Sequence, residues 1–149
     1  MRIAVASDHG GYELKESIKQ HLIESGHEVH DAGTYSTTSV SYVDYGHRAC
    51  KKVQDGSCER AILVCGTGIG MSVVANKHKG IRAALCTNAF MADMARRHND
   101  SNVLVLGARV LAIPYAMILV DVFMSEPFEG GRHLERINQI AKLEEETSE

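Results

Sequence analysis

Ala61-Ile62-Leu63-Val64-Cys65-Gly66-Thr67-Gly68-Ile69-Gly70-Met71-Ser72 joins a short apolar run to three glycines at alternate positions and then to a helix-like segment. The apolar run bounded by glycine reads as a buried strand. It delivers Cys65 to the edge of a sheet, and the glycines turn the chain tightly with several N–H groups facing open space. Such a turn at the start of a helix favours negative charge. A thiol placed there can ionise more easily, which makes it a better base or nucleophile. One loop therefore offers a proton acceptor beside an anion hole, a pairing suited to chemistry that passes through an oxyanion. On these residues alone the loop also reads as a plain strand-to-helix turn whose cysteine only packs.

Three familiar glycine loops fit poorly. The dinucleotide fingerprint G-x-G-x-x-G matches Gly66 and Gly68 but meets Met71 at its last glycine, and the next strand ends Leu85-Cys86-Thr87-Asn88 without an acid. The phosphate loop of nucleotide hydrolases needs Gly-Lys-Ser/Thr, which is missing here. A cysteine-phosphatase loop needs an arginine six residues after the cysteine, where Met71 stands.

Outward from this loop, strand and helix patterns alternate. Expected strands are Ile3–Ala6, Glu28–Asp31, Ala61–Cys65, Ile81–Cys86 and Val103–Leu106. Expected helices are Tyr12–Ser25, Tyr42–Gln54, Met71–Lys77, Ala89–His98, Val110–Ser125 with Pro114 in its first turn, and Leu134–Glu145. Residues 32–41 are polar and read as a loop, and the acidic tail 144–149 is expected to fray. The alternation implies a single α/β domain over residues 1–149, a Rossmann-like three-layer sandwich with a five-stranded parallel sheet. The segment Val110–Ser125 is apolar on more than one face, so it is expected to lie at a subunit interface.

At 149 residues and 44% hydrophobic content the chain can bury one ordinary core. Its net charge is −3 and it has no basic run, which argues against nucleic acid as a partner. The longest apolar stretch, Val110–Met124, is broken by Pro114 and Asp121 and is too short to span a bilayer. The first residues lack the apolar run of a signal peptide, so a cytoplasmic location is expected. No two of Cys50, Cys58, Cys65 and Cys86 have zinc-knuckle spacing, and His27 and His30 would point to opposite faces of a strand. No metal site and no cofactor is expected.

In parallel sheets of this kind, ligands bind at the C-terminal ends of the strands. Asp8-His9-Gly10-Gly11, Cys65-Gly66-Thr67-Gly68, Thr87-Asn88 and Gly107-Ala108-Arg109 all follow strands. Asp8 there is a substrate ligand or simply the cap of the next helix. His98-Asn99-Asp100 precedes a strand and so lies at the opposite edge. It is structural, with His98 suiting the end of its helix, or it serves the site of a partner subunit. Arg132 and Arg136 project from one face of the last helix, near its start, where two cations oppose the dipole. A phosphate would explain them, as would a solvated basic face.

Six separated motifs occur in an order that resembles one family. They are Ser7-Asp8-His9-Gly10-Gly11, Cys65-Gly66-Thr67-Gly68-Ile69-Gly70, Asn76-Lys77 with Gly80-Ile81-Arg82-Ala83, His98-Asn99, Leu106-Gly107-Ala108-Arg109 and Gly130-Gly131-Arg132-His133. Together they are similar to the type B ribose-5-phosphate isomerases, a group that includes allose- and galactose-6-phosphate isomerases. The resemblance covers nearly the whole chain. It implies a homodimer, or a tetramer built of dimers, with each site shared by two subunits and a small sugar phosphate as the partner. It implies that Cys65 moves the proton between carbons one and two through a cis-enediolate, with Thr67 assisting. The amides of Gly66, Gly68, Ile69 and Gly70 would hold the enediolate oxygens. By the same resemblance His98 opens the furanose ring, Asp8 and Asn99 orient the sugar, and His9, Arg109, Arg132 and Arg136 bind the phosphate. Relatives commonly carry Tyr-Pro-Asp where this chain has Tyr42-Val43-Asp44, which bears on the sugar pocket. A six-carbon sugar phosphate and a non-catalytic sugar-phosphate sensor are the competing expectations. A dinucleotide-dependent enzyme is disfavoured by Met71.

Overall fold

A computed structural model describes residues 1–147. Its strands are β1 (Arg2–Ser7), β2 (Glu28–Asp31), β3 (Arg60–Cys65), β4 (Ala83–Leu85) and β5 (Val103–Gly107). Its helices are α1 (Tyr12–Glu24), α2 (Tyr42–Gln54), α3 (Ile69–Ala75), α4 (Ala89–Asn99), α5 (Ile113–Ser125) and α6 (Arg132–Thr147). The five strands form one parallel sheet in the order β2-β1-β3-β5-β4. The three central strands read as continuous apolar runs because helices cover both of their faces. Ile3, Val5, Ile62, Val64, Leu104 and Leu106 meet α1, α4 and α5 on one side. Ala4, Ala6, Leu63, Cys65, Val103 and Val105 meet α2 and α3 on the other. Truncating a fully buried member such as Leu63 to alanine should cost about 2–5 kcal/mol.

The chain winds outward in opposite directions from β1 and from β3. Their adjacent C-terminal ends form the crevice where such sheets bind ligands. The segment after β2 is pinned at that end. Ser7 N donates to Gly33 O at 2.8 Å and Thr34 N to Ser7 O at 2.9 Å. Lys15 on α1 is fully buried, with Nζ 2.7 Å from Asp31 Oδ1 and a second bond to Thr34 O. The ammonium also lies over the rings of Tyr12 and Tyr35, 5.4 and 5.3 Å from their centroids. Burying a charge this fully requires such pairing.

Several boundaries differ from the sequence reading, each for a local reason. β4 is shorter than Ile81–Cys86, because Ile81 N closes a turn onto His78 O. α3 begins at Ile69 rather than Met71, after Gly68 turns the chain and its carbonyl accepts from Ser72 N at 3.0 Å. Val110 to Ala112 precede α5 rather than belonging to it, since the amides of Val110 and Leu111 both turn back to Gly107 O. A 3-10 turn, His9–Gly11, precedes α1. α6 starts at Arg132, two residues before the expected Leu134. No helix among the described residues is long and apolar enough to cross a membrane.

Candidate active site

Cys65 is the last residue of β3, paired with Gly107 of β5. Its Sγ accepts the N–H of Gly68 at 3.2 Å, which holds the sulfur over the turn. Gly68 has φ +83°, and a Cβ there would meet Leu85 Cδ1 at 2.4 Å, so only glycine fits without strain. Thr67 Oγ1 accepts from Ile69 N at 3.2 Å, leaving its own O–H to donate. The amides of Gly66, Thr67 and Gly70 have no acceptor among the described residues. The loop thus presents unpaired donors beside a thiol, but two of the four amides expected to hold oxygens are engaged: Gly68 N on Cys65 Sγ and Ile69 N on Thr67 Oγ1. Burial pushes the Cys50 thiol up to about 12 and the Cys86 thiol to about 11, and it raises Cys58 as well, so all three stay neutral.

Asp8 and Arg109 join this loop. Asp8 caps the 3-10 turn, its Oδ1 accepting from Gly11 N at 3.0 Å, so the capping role is real. A Cβ added to Gly10 would lie 3.5 Å from Asp8 Oδ1, 3.8 Å from Arg109 Nη2 and 3.8 Å from Gly66 N. A carboxylate, a guanidinium and a loop amide therefore surround one point. Arg109 arrives there because the β3–β5 ladder continues beyond the strands. Ala108 N donates to Cys65 O and Arg109 N to Gly66 O, each at 2.9 Å. Arg109 is exposed, and its guanidinium has no ion-pair or hydrogen-bond partner among the described residues. His9 Nδ1 accepts from Val40 N at 3.1 Å, which leaves Nε2–H as the donor of the neutral ring. Tyr42 walls the loop on the far side, with ring atoms 2.7 Å from where a Gly70 Cβ would stand. Val43 gives its amide to Ser41 Oγ at 3.2 Å, which caps α2 at its start, Tyr42.

His98, Asn99, Arg132 and Arg136 form a second group. α4 ends at Asn99, just before β5 begins, so His98 lies at the sheet edge opposite Cys65. His133 stacks on His98 with centroids 4.1 Å apart and planes 10° from parallel. Glu129 Oε1 is 3.3 Å from His98 Nε2 and 3.7 Å from His133 Nε2. Lost hydration, then the charges of His98, Arg132 and Arg136, hold the His133 imidazole below its ordinary range. Arg132 and Arg136 are exposed and unpaired among the described residues. Asn99 leaves its side chain exposed, while its carbonyl accepts from Arg82 Nε at 2.9 Å.

The sequence reading weighed only His27 and His30 as a histidine pair and missed the cluster of His98, Glu129 and His133. The ligand-type atoms of these three lie within 4.8 Å of one another. Its surroundings, Arg132 and Arg136, suit an anion better than a cation. His27 instead meets the N-terminal amine at 3.4 Å, and His30 meets Glu28 at 2.8 Å.

Comparison with known proteins gives the family of this fold. A family model described as Ribose/Galactose Isomerase matches residues 3–140. The chain is similar to ribose-5-phosphate isomerase B of Escherichia coli K12, with 42% identity over 144 residues, 97% of each chain. Its fold is similar to the solved structure of Clostridium thermocellum ribose-5-phosphate isomerase B, with a TM-score of 0.98 and 47% identity over 99% of each chain. It is also similar to ribose-5-phosphate isomerase B from Mycoplasma genitalium, solved with bound ribulose-5-phosphate, with a TM-score of 0.93 and 39% identity over 97% of each chain. The chain therefore belongs to the Ribose/Galactose Isomerase family.

Proposed function

We propose that this protein interconverts D-ribose 5-phosphate and D-ribulose 5-phosphate, with Cys65 moving the proton through a cis-enediolate. The observation that carries the reading is the meeting of the Cys65 sulfur, unpaired loop amides, Asp8 and the unpaired Arg109 at one crevice. In the open-chain aldose, Cys65 takes the proton from carbon two and returns it to carbon one. Charge develops on the two oxygens as the enediolate forms, and amides already aimed at that charge lower the barrier. Thr67 carries protons between the oxygens. Arg109 and His9 hold the phosphate, which keeps the reacting carbons in register with the sulfur.

The second group acts in trans. His98, Asn99, Arg132 and Arg136 cannot join Cys65 within one subunit, so a second copy of the chain supplies them to each site. Exposed Ile69 and Val73 on α3, Phe90 on α4 and Ile118 on α5 give such a dimer apolar surface to bury. Pairing of dimers extends the same logic. Four free thiols fit a reducing cytoplasm.

The test is conversion of ribose 5-phosphate by purified protein in excess chelator, against Cys65→Ala. Loss of turnover by about 10²–10⁴-fold or more, with ribose 5-phosphate binding retained, supports the reading. Surviving turnover in Cys65→Ala removes Cys65 as the base. Faster turnover of allose or galactose 6-phosphate than of ribose 5-phosphate overturns the pentose assignment, and binding without any turnover makes the protein a sensor.

A further inference from the structure

We propose that Glu129 is a positioning residue for His98, holding its imidazole in the tautomer and orientation that opening of a furanose phosphate requires. The inference rests on the isomerase reading above and adds to it a residue outside the motifs that carry the resemblance.

Glu129 sits in the connection between α5 and α6, where a mere linker would need few anchors. This connection has several. Glu129 N donates to Arg97 O at 3.0 Å. Arg96 Nε donates to Glu126 O at 3.2 Å, and Arg97 pairs with the Glu126 carboxylate. Arg97 is itself braced by Asp93 at 2.6 Å. Gly130 O then accepts from His133 N at 3.2 Å as the chain enters α6. The backbone of Glu129 is thereby fixed to the same helical turn that bears His98.

The carboxylate meets His98 at its ring edge, 3.3 Å from Nε2, while His133 covers a ring face. Edge and face together restrict rotation about both side-chain torsions. A carboxylate 3.3 Å from Nε2 repels a lone pair there, so it favours the neutral tautomer with its hydrogen on Nε2 and its lone pair on Nδ1. Nδ1 has no partner among the described residues. It then takes the proton of the anomeric hydroxyl. The C1–O4 bond breaks as the C1=O1 bond forms, and the same proton passes from Nδ1 to O4. No atom or electron is gained or lost. While the ring is imidazolium, the carboxylate stabilises its charge.

The experiment separates the ring step from the proton transfer between carbons. Ribulose 5-phosphate cannot close a furanose, because its ketone is at carbon two and its fifth oxygen carries the phosphate. Exchange of its carbon-one hydrogen with solvent deuterium therefore needs Cys65 but no ring opening. In Glu129→Gln, conversion of ribose 5-phosphate should fall by about 10–100-fold, or about 1.4–2.7 kcal/mol in barrier. Exchange should stay within about threefold of wild type, and Glu129→Asp should recover part of the conversion. If Glu129→Gln fails to fold, the same comparison between wild type and Glu129→Asp decides, since the shortened carboxylate should lower conversion more than exchange. Equal losses in both reactions would assign Glu129 a structural or binding role, and no loss in either would remove it. A wild-type protein that neither converts nor exchanges would instead overturn the isomerase reading, and the positioning role with it.

Discussion

Gly68→Ala should destabilise the protein and cripple the site, and its cost can be built from two parts. The first is the backbone. Gly68 has φ +83°, and a left-handed conformation costs an alanine about 1–2 kcal/mol. The second is space. The new Cβ would overlap Leu85 Cδ1 at 2.4 Å and press on Leu106 C at 3.2 Å. The leucine tip can swing aside, but the β5 backbone must shift, which adds about 1–2 kcal/mol. The sum, about 2–4 kcal/mol, should lower Tm by roughly 5–15 °C for a chain of this size. Gly26→Ala isolates the first part, since Gly26 has φ +89° and nothing within 4 Å of the added Cβ. Thermal unfolding of both variants at one protein concentration measures the difference, and ribulose 5-phosphate formation well below Tm measures the site. Turnover of Gly68→Ala should fall at least about tenfold as the amide is displaced from Cys65 Sγ, about 1.4 kcal/mol by the usual conversion. Equal Tm shifts in the two variants would refute the packing part, and full activity in Gly68→Ala would refute the role given to its amide.

Arg109→Ala should lose a charge-assisted hydrogen bond to phosphate, about 1.5–3 kcal/mol, and so raise KM by about 10–150-fold with a smaller change in kcat. An unchanged KM in steady-state assays would remove Arg109 from the site. Among the described residues, Lys15→Met strips the only ammonium from Thr34 O and one of two from Asp31, and should cost about 3 kcal/mol in urea unfolding. A midpoint equal to wild type would contradict that. Acid should weaken the fold through Asp31. Burial opposes its ionisation, but hydrogen bonds from Lys15, Gly33 N and Lys19 outweigh burial and hold its carboxyl below the ordinary range. That contribution is full above about pH 4 and is lost as the pH falls through the lowered value. Stability measured from pH 6 down to pH 2 should therefore drop below about pH 4, and less steeply in Lys15→Met than in wild type.

The architecture was readable because β1, β3 and β5 are unbroken apolar runs, each closed by a glycine or a polar cluster. The separation of His98 from Cys65 was readable too, since order along the chain places one before a strand and the other after one. Helix and strand ends were less so. Val110 and Leu111 look helical by their letters, but their amides are spent on Gly107 O. Lys15 gave no signal, because its burial depends on Asp31, Thr34 and Tyr35, which lie well beyond its own helix. Glu129 was hidden for a similar reason. It stands in a short polar connection with no periodicity, and its importance comes from Arg97 and His98, which the fold alone brings near.

The two backbone bonds that prolong the β3–β5 ladder, Ala108 N to Cys65 O and Arg109 N to Gly66 O, couple Cys65 to Arg109, the base and the phosphate ligand of the proposed function. These two groups cannot drift apart independently, because the main chain between them is part of the sheet. Under that function the crevice would act as a fixed ruler between a sugar's phosphate and its first two carbons. A change in sugar length would then have to be absorbed at the rim, where Tyr42 stands beside the loop. Selection for a longer or shorter sugar would fall on that rim, while the ruler itself could pass unchanged from one substrate to the next.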